Sequence, residues 1–261
     1  PEVEHPLMTV SGVTPDTIKL DLLHLVDLGI AAHLYGNLIW DLLEDHTGGS
    51  SRQSKLAVVN NQIANAYKSC QMPAGKRLQR LNLSDICAGG DDYPMLRHCK
   101  GRRIRHFSTV AIELASHHTG TAWGQKRMQA VKAMDAVYAL ADLPTSSYSA
   151  AEFLKFKKAC ESLLGNYGWL AKQAMKQKLC RYSITQKHHM FACRYIEQCR
   201  KLTPRMTWCY GPESFMSMCI QIGAASVKGT SAAKLPGKVI EKFRFSYHML
   251  LGGFLDLCEE D

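Results

Sequence analysis

Hydrophobic positions follow a helical period over most of the chain. Apolar side chains recur every three or four residues, which is the spacing of one face of an α-helix. The pattern predicts helices at residues 22–44, 54–71, 124–141, 150–177 and 185–201, helical spacing through 101–118, and further helices from about Pro212 and through Val239 and Phe243. Ser149, followed three residues later by Glu152, predicts a capping box at the start of the 150–177 helix.

Strand-like alternation occurs near the beginning of the chain. Apolar and polar residues alternate from Thr17 to Leu22, and this pattern predicts a short strand that turns directly into the first helix. Asp21 and His24 lie at that junction. Residues 202–211 predict a short extended piece, and glycine-, serine- and proline-containing segments separate the helices as loops. The fold class expected is therefore mainly α, with few strands and no internal repeat.

Composition narrows the class of protein. The chain has 261 residues and is 46% hydrophobic, enough for a sizeable core. It has no apolar run of the roughly 18 residues that a membrane span needs, and its first residues do not resemble a signal peptide. The ten cysteines are scattered without a C-x-x-C pair, which favours reduced thiols in an intracellular protein without a membrane partner. A zinc site formed by Cys193, Cys199 and His188 or His189 is the alternative.

The net charge of +9 favours a polyanionic partner. Basic residues occur in clusters, around Lys76, around Lys100, around Lys126 and from Lys172 to Arg181. Nucleic acid is the common intracellular polyanion, and a merely solvated basic face is the other interpretation. The candidate nucleic-acid-binding residues are Lys100, Arg102, Arg103, Arg105, Lys126 and Arg127.

Two blocks of sequence carry a family resemblance. The first is the D-x-x-H of Asp21 and His24 with the "DLG" that follows, and the second is "QKHHMFAC" followed by a W-x-Y-x-x-E that ends at Glu213. In these motifs the chain resembles the CACTA-type and related eukaryotic cut-and-paste transposases, which have a ribonuclease-H-like core. The resemblance implies that residues 1–46 form the second-acid block of that core, 47–184 a large all-helical insertion, and 185–261 the third-acid block with the C-terminal helices.

The resemblance also implies a chemistry. Asp21 and Glu213 would be catalytic carboxylates that bind magnesium or manganese, and His24 would orient Asp21 or contact the scissile phosphate. Two such ions activate the attacking oxygen and stabilise the leaving oxygen in phosphodiester cleavage and strand transfer. The carboxyl groups of Asp21 and Glu213 should then lie roughly 4–8 Å apart. The partners implied are DNA and an upstream part of the same protein, and the location is nuclear or otherwise intracellular.

The first acidic ligand of such an enzyme lies well upstream of the second, and only twenty residues precede Asp21. We therefore expect a fragment of a transposase-like protein that is inactive as this chain alone. A different class remains open: a helical DNA-binding or protein-interaction module derived from a transposable element, in which the acids are relics. A plain helical scaffold is the third possibility.

Overall fold

The structure is a computed structural model that describes residues 9–14, 17–45, 51–87 and 92–256, with the backbone alone for 212–214 and 247–256. The chain divides into two compact units, Pro1–Trp208 and Cys209–Asp261.

The described part of the first unit is built from helices and connecting segments. Its α-helices are α1 Ala32–Asp45, α2 Arg52–Ser69, α3 Gly101–His106, α4 Ser108–Ser116, α5 Ala122–Ala141, α6 Ala150–Lys176, α7 Gln186–Met190, α8 Ile196–Gln198 and α9 Pro204–Thr207. Wider π-helical turns precede α1, at Leu23–Ala31, and α8, at Phe191–Tyr195. Single 3₁₀ turns occur at Ala74–Lys76 and Leu83–Asp85.

The continuous helix formed by Leu23–Ala31 and α1 is the centre of this unit. Its side chains are buried on nearly every side, from Leu22 to Leu43. A helix that is apolar all round must be surrounded by other elements, since one exposed face would leave apolar surface in water. The helix accordingly packs against α2, α3, α4, α5 and α7.

Close packing around α1 depends on one glycine. A Cβ built on Gly36 would lie 2.3 Å from the Cα of Met95, so the segment after residue 91 can approach α1 only where the side chain is absent. Next to it, the Asn37 amide donates to the Pro94 carbonyl at 3.0 Å and accepts from the Tyr182 N–H at 2.9 Å. These bonds hold two loops against the central helix.

A buried polar network around Asp41 joins the central helix to α5 and to the segment after α6. One carboxylate oxygen accepts hydrogen bonds from Trp123 Nε1 at 2.8 Å, the Tyr182 hydroxyl at 2.8 Å and an Arg127 nitrogen at 3.0 Å. Arg181 Nε lies 3.6 Å from the other oxygen. Burial is the largest influence on Asp41 and raises its pKa, whereas Arg127 and the hydrogen bonds oppose that rise.

The second unit contains α10 Tyr210–Val227 and α11 Leu235–Asp256, which pack together as a helical hairpin. The rings of Phe215 and Phe243 meet edge to face at 5.7 Å, and the Lys242 ammonium donates to the Ala225 carbonyl at 2.7 Å. Pro212 lies in the first turn of α10, as the sequence predicts.

The prediction of a mainly α chain is confirmed, and so are the helices expected at 22–44, 54–71, 124–141, 150–177 and 185–201. The capping box of Ser149 and Glu152 is also confirmed. The strand expected to end at Leu22 is wrong: residues 18–21 have no regular structure and the described residues contain no strand. The extended piece expected at 202–211 is wrong as well, because Pro204 begins the short helix α9. The assignment of 1–46, 47–184 and 185–261 to transposase blocks stays a prediction.

Candidate functional site

Asp21 caps the first helix. Its Oδ1 accepts the backbone N–H of His24 at 2.9 Å, and the His24 Nδ1 lies 3.2 Å from Oδ2. A short polar side chain that binds the N–H three residues later is the usual N-cap arrangement, and it satisfies a donor that has no partner inside the helix. The three-residue spacing of Asp21 and His24 thus has a local structural cause. The same geometry holds an imidazole beside a carboxylate at an accessible helix end.

The part of the second block that belongs to the first unit lies beside the first block, although more than 150 positions separate the contacting residues. The Gln198 side chain donates to the Leu20 carbonyl at 2.7 Å and accepts the Leu20 N–H at 2.9 Å. The Lys187 ammonium donates to the Leu28 carbonyl at 3.0 Å. Burial lowers the pKa of Lys187, and the charge of Asp21 partly offsets that effect. A lysine from the second block is therefore within electrostatic reach of Asp21.

The "DLG" of the first block has structural uses. Asp27 is fully buried, and its Oδ1 accepts a hydrogen bond from the Tyr138 hydroxyl at 2.8 Å. A Cβ on Gly29 would lie 2.6 Å from Lys187 Cδ, so the absence of a side chain there lets the lysine stem cross the helix. Asp27 thus joins the first block to α5, and Gly29 lets Lys187 of the second block pack against the first.

The histidines of the second block are divided between core and surface. His188 is buried, its Nδ1 lies 3.1 Å from the Thr185 N–H, and its ring lies against Tyr167 and His33. Burial and the neighbouring His33 lower the pKa of His188 to about 4. This histidine is therefore neutral at pH 7 and belongs to the packing.

The zinc alternative is not supported by the geometry. Cys193 is exposed, with its sulfur 3.5 Å from His189 Nδ1, whereas Cys199 is buried and burial raises its pKa to about 12. Among the described residues, no three ligand atoms from the Cys193, Cys199, His188 and His189 set lie close enough to share an ion. The nine described cysteines are free thiols, as expected.

Glu213 lies in the first turn of α10, but its side chain lies outside the described residues. The predicted separation of its carboxyl group from that of Asp21 therefore stays a prediction.

Basic side chains converge on a pocket of about 320 Å³ between α3 and the turn at Ala74–Lys76. Its lining consists of Gly75, Lys76, Lys100, Arg102, Arg103 and His106. Among these described residues none is acidic, so cations are close to one another without a compensating carboxylate in the pocket wall. The effect is visible at His106, whose pKa is lowered by burial and then by the charges of Lys76, Arg102 and Arg105. We call this site the basic pocket.

Acidic residues border the basic pocket on one side. A neighbouring pocket of about 310 Å³ shares Lys76 and His106 but also contains Asp135 and Asp142. In that pocket Lys76 and Arg105 offset Asp135 and Asp142, so the uncompensated positive charge lies on the Lys100 side. Lys76 and His106 were missed as site residues by the sequence reasoning, although Lys76 belongs to a basic cluster in the sequence.

Two of the predicted nucleic-acid-binding residues are structural, and this corrects the sequence interpretation. Arg127 is only 1% exposed and pairs with Asp41. Arg105 is 6% exposed, binds Asp142 at 2.6 Å, and lies over the rings of Tyr138 and Trp208. A phosphate backbone cannot reach guanidinium groups that are paired inside the protein.

The other predicted nucleic-acid-binding residues stay candidates. Lys100, Arg102 and Arg103 line the basic pocket. Lys126 lies apart from it on α5, where its ammonium donates to the Gln129 side chain at 3.2 Å.

Comparisons with protein-family models, curated proteins and solved structures find no match to this chain. Among the described residues, no helix combines the length and apolar character that crossing a bilayer requires.

Proposed function

We propose that this chain binds DNA through its phosphate backbone, with the basic pocket as a main contact. The observation that carries the proposal is the convergence of Lys76, Lys100, Arg102 and Arg103 on one concave site without an acidic neighbour in its described lining. Phosphate oxygens accept hydrogen bonds from guanidinium groups in pairs, and lysine adds a compact charge. Such a site suits an anion, such as a phosphate group, better than an apolar or cationic ligand.

Binding of this kind should depend on charge rather than on base sequence. Contacts to phosphate release counterions, so the affinity falls steeply as salt rises, and they position the protein without reading bases. The net charge of +9 adds a long-range attraction to the local contacts.

The experiment compares charge reversals at two places. The pocket variant, Lys100→Glu/Arg102→Glu, reverses two charges in the basic pocket. The matched control, Lys155→Glu/Lys158→Glu, reverses two charges at exposed positions of α6 and changes the net charge by the same amount. Fluorescence anisotropy of a labelled duplex is measured for each protein between about 50 and 300 mM salt, the range in which counterion release changes affinity strongly.

We expect the pocket variant to lose about tenfold or more in affinity and its salt slope to fall by about two, since each lost phosphate contact removes roughly one unit. The α6 variant should lose much less. Equal losses in the two variants would assign the binding to overall charge. An affinity that does not change with salt would contradict phosphate binding altogether.

A second candidate function is strand cleavage and transfer within a transposase-like protein. The specific observation in its favour is that the two resembling blocks, distant in sequence, are bonded to each other beside Asp21 through Gln198 and Lys187. Each block also carries a π-helical turn, a feature that is frequent at functional sites. The role proposed for Glu213, as a catalytic carboxylate, rests on the resemblance alone.

Asp21 and His24 would fit a magnesium or manganese site in part. The carboxylate is a hard oxygen ligand, but one of its oxygens also binds the His24 N–H, and a two-ion site needs further carboxylates. When bound, the ions would supply activation of the attacking oxygen. We therefore expect no nicking or joining of DNA by this chain alone. Cleavage that is lost in Asp21→Asn would show that a complete active site is present.

A metal test that does not depend on activity uses Mn²⁺ as a paramagnetic probe. Mn²⁺ held by Asp21 should broaden the ring resonances of His24 first, because the imidazole lies 3.2 Å from the carboxylate. In Asp21→Asn the broadening should disappear at the same Mn²⁺ concentration. Equal broadening in both proteins, or no broadening of His24, would remove the metal site from the proposal.

A further inference from the structure

A second concavity lies at the C-terminal end of α6 and differs in character from the basic pocket. It encloses about 500 Å³ between the last turns of α6, the segment 178–184 and Tyr93. Its rim carries the large apolar side chains of Met175, Leu179, Ile184 and Tyr93 together with the cations Lys172 and Lys178. We call this site the α6 groove.

The apolar rim of the α6 groove is open to solvent. Met175 is 73% exposed and Ile184 is 64% exposed, and Leu179 and Tyr93 are exposed as well. Single exposed apolar residues are ordinary on protein surfaces, but a cluster of large ones around one concavity is typical of an interaction site. Gly168 and Ala171 form part of the lining, and a Cβ added at Gly168 would meet nothing within 4 Å. The groove therefore has room for side chains of a partner.

The backbone around the groove is fixed by hydrogen bonds. The helix α6 ends in a Schellman motif, with the Leu179 N–H bound to the Ala174 carbonyl at 2.9 Å and the Lys178 N–H bound to the Met175 carbonyl at 3.1 Å. Lys178 adopts the left-handed conformation that this motif requires, with φ of 56°. Further along, Tyr182 is anchored to Asn37 and Asp41. Met175 and Leu179 are thus exposed on an ordered helix end, so the binding of a partner would cost little conformational entropy in ordering the site.

The charge of the groove selects the chemistry of the partner. Lys172 and Lys178 are exposed at its edge, and none of its described lining residues is acidic. Arg181, which also lines the groove, directs its guanidinium towards Asp41 and Glu44. The two lysines would therefore attract carboxylates, while the apolar rim would bury aliphatic or aromatic side chains.

We propose that the α6 groove docks a segment of a partner protein in which acidic residues flank one or two long apolar side chains. Nucleic acid fits the groove less well, because its backbone would leave Met175 and Ile184 against charged phosphates. The proposal does not depend on DNA binding at the basic pocket.

The test uses a panel of fluorescein-labelled peptides of about twelve residues, each rich in glutamate, with two leucines at spacings that suit a helix or a strand. Each peptide has a partner in which serine replaces the leucines and another in which glutamine replaces the glutamates. Binding is measured by anisotropy at about 100 mM salt, where isolated surface charges are largely screened. A DNA duplex added as competitor distinguishes a groove for protein from one for nucleic acid.

The variants are Met175→Glu and Lys178→Glu, with Leu154→Glu as the matched control. Leu154 lies on the same helix, is 52% exposed and does not line the groove. Circular dichroism of each variant checks folding, which exposed substitutions should preserve. We expect at least one acidic-leucine peptide to bind, both groove variants to weaken it about tenfold or more, and Leu154→Glu to leave it unchanged.

Four results would overturn the proposal. Two concern the peptides: none binds better than its serine counterpart, or the glutamine counterpart binds equally well. The other two are an effect of Leu154→Glu as large as that of Met175→Glu, and complete displacement of the peptide by DNA whose own binding is weakened by the groove variants.

Discussion

Replacing Asp41 by asparagine tests whether Arg127 is a structural residue or a ligand for DNA. The substitution keeps the shape of the side chain and an oxygen that can accept from Trp123 or Tyr182. It removes the charge that faces the Arg127 guanidinium, which is 1% exposed and 3.0 Å away. The arginine would then be a buried cation whose remaining described ion-pair partner is Asp45, at 3.8 Å.

The expected loss follows from the burial of both partners. Breaking a buried ion pair from one side costs about 3–5 kcal/mol, since the other charge is left without compensation. Asparagine retains part of the hydrogen bonding, so we expect the free energy of unfolding to fall by about 3 kcal/mol. For a unit of this size the melting temperature should fall by roughly 6–12 °C.

The assay is urea unfolding followed by circular dichroism, with Asp45→Asn as the control. Asp45 is half exposed and pairs with the same arginine, so its loss should cost less than about 1 kcal/mol. Adding Arg127→Met to Asp41→Asn should recover part of the stability, because it removes the uncompensated charge. The reasoning fails if Asp41→Asn is as stable as Asp45→Asn, or if the double variant Asp41→Asn/Arg127→Met is less stable than Asp41→Asn alone.

Three further outcomes are expected. Because burial lowers the pKa of His188 from 6.5 to about 4, the unfolded chain takes up a proton that the folded chain does not as the pH falls through this window. Stability should therefore be lost between pH 6.5 and 4, by up to about 3 kcal/mol in urea unfolding, and His188→Gln should flatten this dependence. Gly36→Ala should destabilise the fold by about 2 kcal/mol or more, because its Cβ would meet the backbone of Met95. Gly165→Ala in α6 should instead stabilise the fold by about 1 kcal/mol. Equal melting temperatures of the two variants would contradict this prediction. In alkylation followed by mass spectrometry, exposed Cys193 should react before buried Cys199, and a reversed order would contradict the burial described for them.

The helices could be predicted because burial of one face imposes a regular spacing on apolar residues. The strand before Asp21 could not be excluded, since an alternating run of six residues also occurs in irregular chain. What the structure has at that point is a carboxylate cap, which depends on a bond between Asp21 and the N–H of His24. Periodicity carries no information about such a bond.

It was harder to predict which arginines are buried and which are exposed, because the two kinds contribute equally to composition and net charge. A signal was nevertheless present: Arg127 occupies the same helical face as Gly124, Val131 and Met134, all of which are buried. A cation on an apolar stripe predicts a buried partner, and Asp41 occupies the matching stripe of α1. The basic pocket itself depends on the meeting of residues 75–76 with 100–106, which no local pattern specifies.

The structure also decides which substitutions can test the transposase resemblance. Asp27 belongs to the motif, but it is buried and bound to Tyr138, so its replacement would damage the fold and any loss of function would be uninformative. Gly29 is unsuitable for a similar reason, because a side chain there would displace Lys187. Asp21→Asn keeps an oxygen for the His24 N–H and removes the charge that a metal ion needs. A loss confined to metal or DNA chemistry in that variant, with stability unchanged, is therefore the result that would separate a catalytic carboxylate from a helix cap.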